Sequence, residues 1–436
     1  MAAIYSSIYE EILIESTDQN KTVDIRVGTV SVDYYEDIFS PAITCKIQVY
    51  NTGNTIEGED GHLQGIYQGL PLRGVERVAM KIKGNHEGNP GLDFSTNTDD
   101  YWYVSSITNV LSETQKETFT LNLISREAIT NETSRVGKKY PTSNPISSSV
   151  SDIIENYVVT NKQVDVDPTQ NKYGFIGNMR KPFTVIGWLA AKSVPDTAED
   201  DGTAGYLFYQ TKDSFKFKSI DSLIEQEKKA TYTYSQVNKS SAERDANFDI
   251  LSFQTDKNEN VMEKLKLGAY ASNRMFFDPL LFTFPSKTFK LSDYQGKSKN
   301  LGRQIELPRL SEGSDQTLGD LPSRIVTQVL DRGTYEQDVS EEENADPMKY
   351  QAQALMRYNS LFTQTLSMTV PSNTNLCAGD VIECLFPKAT TEDSNEYDPD
   401  QSGLYMIKEL CHHFDPDGSY TSMKLIRDTS GRYGRN

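Results

Sequence analysis

The run Leu361-Phe362-Thr363-Gln364-Thr365-Leu366-Ser367-Met368-Thr369-Val370 sets Leu366, Met368 and Val370 in alternation with polar residues. A period of two is that of a strand with one buried face. Pro371-Ser372-Asn373 breaks the run, Ala378-Gly379-Asp380 makes a turn, and Val381-Ile382-Glu383-Cys384-Leu385-Phe386 reads as a second strand. After a loop rich in Asp, Asn, Ser and Pro, residues 404–414 read as a third. Asp415-Pro416-Asp417-Gly418 is hairpin chemistry, because Pro presets φ and Gly accepts a positive φ. Residues 420–427 close the set, with Thr421, Met423 and Leu425 alternating against Ser422, Lys424 and Ile426. Four successive antiparallel strands must hide their edges, and a barrel or sandwich does so.

The same grammar occurs earlier in the chain. Gly74-Val75-Glu76-Arg77-Val78 leads into a strand as Gly379 does, and residues 101–107 stand where 403–410 stand. Glu113-Thr114-Gln115-Lys116 takes the turn position of residues 415–418. The closing run Thr120-Leu121-Asn122-Leu123-Ile124-Ser125-Arg126-Glu127 parallels Ser422-Met423-Lys424-Leu425-Ile426-Arg427-Asp428. Order and spacing both agree, so the chain is expected to carry a duplicated module.

The run from Ala352-Gln353-Ala354-Leu355-Met356-Arg357 through Ala378-Gly379-Asp380 to Leu425-Ile426-Arg427-Asp428 resembles the baseplate hub protein of contractile-tailed phages. So does the opening half, from Val23-Asp24-Ile25-Arg26 to Ile47-Gln48-Val49-Tyr50. Lys181-Pro182-Phe183-Thr184-Val185-Ile186-Gly187-Trp188, Gly205-Tyr206-Leu207-Phe208-Tyr209-Gln210 and Phe215-Lys216-Phe217-Lys218 in the middle are also similar to that family. The weight comes from several matches in the right order. The resemblance implies a virion protein of the tail baseplate, a homotrimer whose six barrels form a ring. That ring would join the sixfold tail tube protein to the threefold central spike protein, beside surrounding baseplate wedge or hub proteins. DNA would pass through its lumen without specific binding.

Composition fits such a reading. With 436 residues the chain is expected to hold several domains. Its 24 Tyr favour β structure and half-wet interfaces. A net charge of −18 argues against a sequence-independent grip on nucleic acid, which needs clustered Lys and Arg. The four Cys (Cys45, Cys377, Cys384, Cys411) are too irregular for a disulfide framework. No secretory signal or membrane span is legible, so synthesis and assembly in a host cytoplasm are expected.

The expected fold class is mainly β with α+β insertions, built on two related antiparallel β-barrel modules of the tail-tube kind. Residues 1–125 form the N-terminal barrel module and 126–245 an α+β insertion domain. Residues 246–345 start the second barrel and carry an irregular, acidic insertion, and 346–436 give a helix and the C-terminal barrel module. Within these ranges, residues 51–68 and 84–100 read as long loops of the kind that mark binding surfaces. Residues 138–151 read as a Pro/Ser/Asn linker before a helix capped by Ser151-Asp152, and Pro182 opens another helix over 183–193. Residues 206–220 are a hairpin, 248–289 return to strand character, and 336–346 are an acidic loop. Pro347 opens the helix that delivers the chain to the last barrel.

Candidate chemistry is thin. Asp398, Asp400, Ser402, Gly403 and Glu409 match the spacing of an EF-hand calcium loop, but the flanks read as strand and proline, not helix. Cys377, Cys384, Cys411, His412 and His413 lack zinc-ligand spacing, and adjacent residues of a strand point to opposite faces. With four His and no nucleophile elbow, neither a triad nor a phosphate-binding Gly loop is present. No catalytic, cofactor or metal site is therefore expected. The competing classes are a tail-associated cell-wall hydrolase, which would need a carboxylate pair in a sugar-sized cleft, and a peripheral receptor- or carbohydrate-binding β protein.

Overall fold

The computed structural model describes residues 5–429, apart from 18–20, 54–55, 58–60, 71, 114–115, 197–202, 235–244, 258–259, 280, 295–297, 304–306, 308, 310, 312, 331–346 and 389–396. The acidic loop expected over 336–346 lies outside the described residues. The fold is mainly β with α+β insertions, and its frame is two modules of six strands each. The first is β1 (Ile8–Glu15), β2 (Thr29–Asp37), β3 (Thr44–Thr52), β4 (Arg77–Lys83), β5 (Trp102–Glu113) and β6 (Lys116–Ser125). The second is β7 (Ala230–Thr233), β8 (Ser252–Lys257), β9 (Gln364–Pro371), β10 (Val381–Leu385), β11 (Gly403–Phe414) and β12 (Ser419–Arg427). β7 falls inside the range expected for the insertion but pairs with β10.

The two modules repeat one topology. In space the first runs β2-β3-β6-β5-β4-β1 and the second β8-β9-β12-β11-β10-β7, so each strand matches the one six places on. Four of the five pairings are antiparallel in both modules; the fifth differs, since β1 is antiparallel to β4 while β7 is parallel to β10. The second module closes through a bridge between Thr233 and Asp249, just before β8.

The match holds residue by residue. Leu123 opposes Val104 and Asn122 opposes Ser106, which leaves Ser105 as a bulge. Leu425 opposes Ile407 and Lys424 opposes Glu409, which leaves Lys408 as the same bulge. On the other side Leu123 and Leu121 face Cys45 and Ile47, as Leu425 and Met423 face Leu366 and Met368. A bulge adds an unpaired residue and sharpens twist, so its repetition places the same bend in both long strands.

Two details of the expected alignment shift by one residue. The turn equivalent of Gly379 is Val75, not Gly74: the Gly379 N–H donates to Ile407 O (2.8 Å) and the Val75 N–H to Val104 O (2.7 Å). The terminal Arg-acid pairs are not equivalent either. Register matches Arg427 with Ser125, and Arg126 instead opens the helix Arg126–Thr133.

One continuous core spans both modules, including Tyr34, Ile47, Trp102, Leu121, Leu123, Leu366, Met368, Met423 and Leu425. The insertion between β6 and β7 has its own core, in which helix Pro182–Ala190 buries Val185, Ile186 and Leu189 against the hairpin Tyr206–Gln210/Ser214–Ser219. The expected linker over 138–151 is not one. Pro145 caps a helix Ile146–Ile153 whose Ile146, Val150 and Ile153 are buried at helical spacing, while Tyr140 packs beneath. Likewise the strand character expected over 248–289 is interrupted by a helix Val261–Leu267. The Asn260 side chain accepts the Glu263 N–H at its start, and Gly268 at φ 69° ends it. The helix before the last strands is Pro347–Ser360.

Candidate functional site

Because β11 is long, it serves both modules. Its first half pairs with β10, and its second half, Glu409 to Phe414, pairs antiparallel with β2 of the other module. The result is one wall in the order β8-β9-β12-β11-β2-β3-β6-β5. Period-two alternation turns every second residue of that wall into the shared core and leaves the rest on a polar outer face.

The outer face is charge-compensated. Lys424 Nζ meets Glu409 Oε1 at 2.5 Å, Lys408 Nζ meets Glu409 Oε2 at 2.8 Å and Asp37 Oδ2 at 2.9 Å. These pairs cross β12, β11 and β2 in a single ladder. Beside it His413 Nδ1 lies 2.5 Å from Asp33 and Nε2 2.9 Å from Asp415, which holds the imidazole pKa above its ordinary value. The remaining positions are mostly hydroxyls and amides. Asn122 Nδ2 donates to Thr108 Oγ1 (3.1 Å), and Thr369 and Ser422 hydroxyls lie 3.2 Å apart. A cleft of about 700 Å³ runs over the seam, lined by Tyr35, Asp37, Lys46, Gln254, Glu409 and Lys424 among others.

Beneath the seam lies a residue that the sequence reading missed. Glu36 is buried at 2% exposure, and its carboxylate accepts from Tyr34 Oη (2.6 Å), the Lys212 N–H (2.7 Å) and the Ala378 N–H (2.7 Å). It ties the first module to the insertion and to the second module. Burial pushes its pKa up to about 7, against those hydrogen bonds. The signal was available: an acid in phase with Val32 and Tyr34, on the apolar side of its strand.

The residues weighed for chemistry are dispersed or committed. Asp398 Oδ1 accepts the N–H groups of Asp400 (2.8 Å) and Gln401 (3.0 Å), and Ser402 Oγ accepts the Phe386 N–H (2.9 Å). Gly403 opens β11, and Glu409 is held by Lys408 and Lys424. Among the described residues no group of three or more His, Cys, Asp or Glu is placed to hold a metal ion. His412 and His413 do point to opposite faces. His412 is enclosed, bonded to Thr421 Oγ1 at 2.9 Å, and burial drives its pKa down to about 4. Cys384 and Cys377 are buried free thiols, and burial with the nearby Asp33 carboxylate pushes the Cys411 thiol up to about 12. None is poised as a nucleophile.

Within the loop over 84–100, read from the sequence as marking a binding surface, Asn89 is spent within the chain while residues 96–99 are exposed. Asn89 is buried and donates to Ser372 O (3.0 Å), while its Oδ1 accepts the Thr374 N–H (3.0 Å). The wall instead ends on two strand edges. Beyond Val104, β5 pairs with β6 alone among the described residues, and Val110 and Leu111 are 42% and 59% exposed. At the other end β8 pairs with β9 alone among the described strands.

This chain is 24% identical over 297 residues to a probable baseplate hub protein of Vibrio phage KVP40. The chain is a relative of phage baseplate hub proteins. The matched segment is 65% of this chain and 66%, just under two thirds, of the Vibrio phage protein. No family model matches this chain. Its fold is that of the tail protein from Neisseria meningitidis MC58 (TM-score 0.54, 9% identity, covering 95% of this chain and 96% of that one). The 43 kDa tail protein of prophage MuSo2 from Shewanella oneidensis shares it (TM-score 0.50, 10% identity, 96% and 98% covered). No helix of the chain, among the described residues, is long and apolar enough to cross a membrane.

Proposed function

We propose that the chain is a structural subunit of a phage baseplate hub: a homotrimer whose six modules form a ring with a central channel. The ring would join a sixfold tail tube to a threefold central spike, within the virion's tail baseplate and beside wedge or further hub proteins. Synthesis and assembly would take place in the host cytoplasm. The observation that carries the reading is the repeat of six strands in one chain, matched in order, register and bulge. A sixfold tube bonds equivalently to a threefold object only through an adaptor carrying two near-equal modules per subunit. The domain division that goes with it is 1–125, 126–245, 246–345 and 346–436, with β7 completing the last module. On this reading the polar face of the eight-strand wall lines the channel. Asp37 and Glu409 on that face are paired with Lys and Asp33 with His413, so passing DNA meets neither a basic grip nor a bare acidic barrier along the seam.

Light scattering across ionic strength, followed by imaging, tests the ring. A net charge of −18 per subunit repels at long range, so assembly is expected to strengthen as salt screens it. A monomer at every salt concentration, with no spike partner able to trimerise it, overturns the reading. The reading also assigns no catalysis to the chain, and dose-dependent release of muropeptides from peptidoglycan by the pure protein would refute that.

A further inference from the structure

We infer that the second edge of β5 docks on the edge of β8 that has no partner among the described residues, in a neighbouring copy of the chain, with Leu111 opposite Gln254. The inference rests on the trimer reading and adds the surface that makes it. The internal seam is the template. There the outer half of β11 pairs antiparallel with β2, placing His413 opposite Asp33 and Phe414 opposite Val32. The repeat makes β5 the counterpart of β11, and β8 the counterpart of β2. Each subunit therefore makes one such seam internally and carries the two halves of a second, unmade, at opposite ends of its wall.

Register follows from the pairs already described. His413 opposes Tyr420, and Leu111 opposes Thr118, the residue that matches Tyr420 counting back from Leu425 and Leu123. Asp33 opposes Lys46, and Gln254 opposes Ser367, the match of Lys46 counting from Cys45 and Leu366. Leu111 then faces Gln254 of the partner copy, and Ser112 faces its Phe253. Asn109, at φ 54°, adds one residue to β5, so the register is counted outward from Leu111. Val110 and Leu111 lie exposed on an unpaired edge, an arrangement proteins avoid unless the edge is to be paired. The contact is heterologous, since β5 meets β8 and not itself, and a heterologous contact closes a ring when its rotation permits.

The test is a pair of cysteines in the full chain: Leu111→Cys with Gln254→Cys, oxidised mildly at a concentration where light scattering shows the assembled state. Covalent dimers and trimers on a non-reducing gel are expected from the double variant, and covalent dimers from a mixture of the two single variants. Neither single variant alone should give them. Asp33→Cys with His413→Cys is the control, expected to close within one chain. A trimer by light scattering without cross-linking at 111 and 254 overturns the edge assignment and leaves the trimer standing. Cross-linking by Leu111→Cys alone means β5 meets β5, which also overturns it. A monomer throughout overturns the trimer itself. As a second measurement, Leu111→Lys, on an exposed side chain, should lower the assembled fraction at least tenfold while the monomer's circular dichroism is unchanged. Undiminished assembly counts against the edge.

Discussion

The two modules share a strand plan but are fastened differently to the insertion between them. The second holds it by charge. Arg357, 1% exposed, places Nη2 2.8 Å from Asp221 and 2.8 Å from Lys299 O, and Nη1 3.3 Å from Asp428. Asp428 directly follows β12. At the matching place after β6 stands Arg126, only partly buried, and there a neutral residue of the insertion makes the contact, beside the Glu36 tie and an ion pair between Asp100 and Lys162 farther along. Gln210 Oε1 accepts from Ser125 Oγ (3.0 Å) and the Ile43 N–H (3.2 Å). Duplication thus preserved what the wall needs, the register and bulge, and let the attachments diverge. A residue common to both modules belongs to the wall; one present in a single module belongs to that module's partner.

The comparison is most exposed at its core. Leu123 and Leu425 are 1% and 0% exposed at matched positions. Leu123→Asp and Leu425→Asp should therefore fail alike, because an unpaired buried carboxylate costs several kcal/mol, roughly half of a domain's stability. The measurement is yield of soluble, cooperatively melting protein. A tolerated Leu123→Asp beside a lethal Leu425→Asp would show that the first module turns its other face inward, and the equivalence would break.

Next in size is the difference in attachment. Arg357→Met leaves two buried carboxylates without their cation, a loss of ~3–5 kcal/mol. Gln210→Ala removes the bonds of an uncharged side chain, one of them donated to the buried Glu127 (3.3 Å), and should cost about 1–3 kcal/mol. Urea midpoints of the two variants would rank them. Equal losses would mean that the ionic tie contributes no more than its neutral counterpart.

The strands of the second module were legible because one face is apolar, the other polar, and Asp-Pro-Asp-Gly marks the turn. Where the insertion covers the outer face, alternation fails: Met406 and Ile426 are buried on the opposite side from Ile407 and Leu425. The helix capped at Ser151-Asp152 in the sequence reading starts earlier, at Ile146, and its first turn was hidden because Ser147 and Ser148 read as linker. The internal seam could not be read, since Asp33 and His413 lie 380 residues apart and no local pattern couples them. Glu36 was missed because its partners include backbone N–H groups supplied by two other elements.

A smaller effect concerns the turn before β4 and β10. Val75 has φ 72° where its counterpart Gly379 has φ 87°. A β-branched residue there stores ~1–3 kcal/mol of strain, and glycine returns ~0.5–1 kcal/mol of that through its freer unfolded chain. Val75→Gly should stabilise the protein by about 1 kcal/mol, seen as a Tm raised by a few degrees. Gly379→Val should destabilise, because its Cβ would also collide with Tyr209 Oη. A destabilising Val75→Gly would show that the valine makes a contact worth more than its strain.

The smallest effect separates the internal seam from the one inferred between subunits. At the internal seam His413 sits between Asp33 and Asp415 and stacks on Tyr420 at 4.5 Å. The hydrogen bond to Asp33 comes first among the causes that raise its pKa. A raised folded pKa means that the native state binds the proton more tightly than the unfolded chain. The stabilisation is therefore fully present below the unfolded value of about 6.5 and is lost as pH rises through the folded value. Glu36 also titrates, its pKa near 7 costing stability as pH rises from about 4.5. That cost is shared by wild type and His413→Asn, so the difference between their melting temperatures isolates the histidine. The difference should be largest near pH 6 and shrink toward pH 9. At the inferred seam the matching residues are Leu111 and Gln254, neither of which titrates. The trimer–monomer equilibrium of His413→Asn should accordingly follow pH as the wild type does. If the substitution changed the pH dependence of assembly as well as of melting, the histidine would lie at the contact between subunits, and the seam assigned to the interior of the chain would be the wrong one.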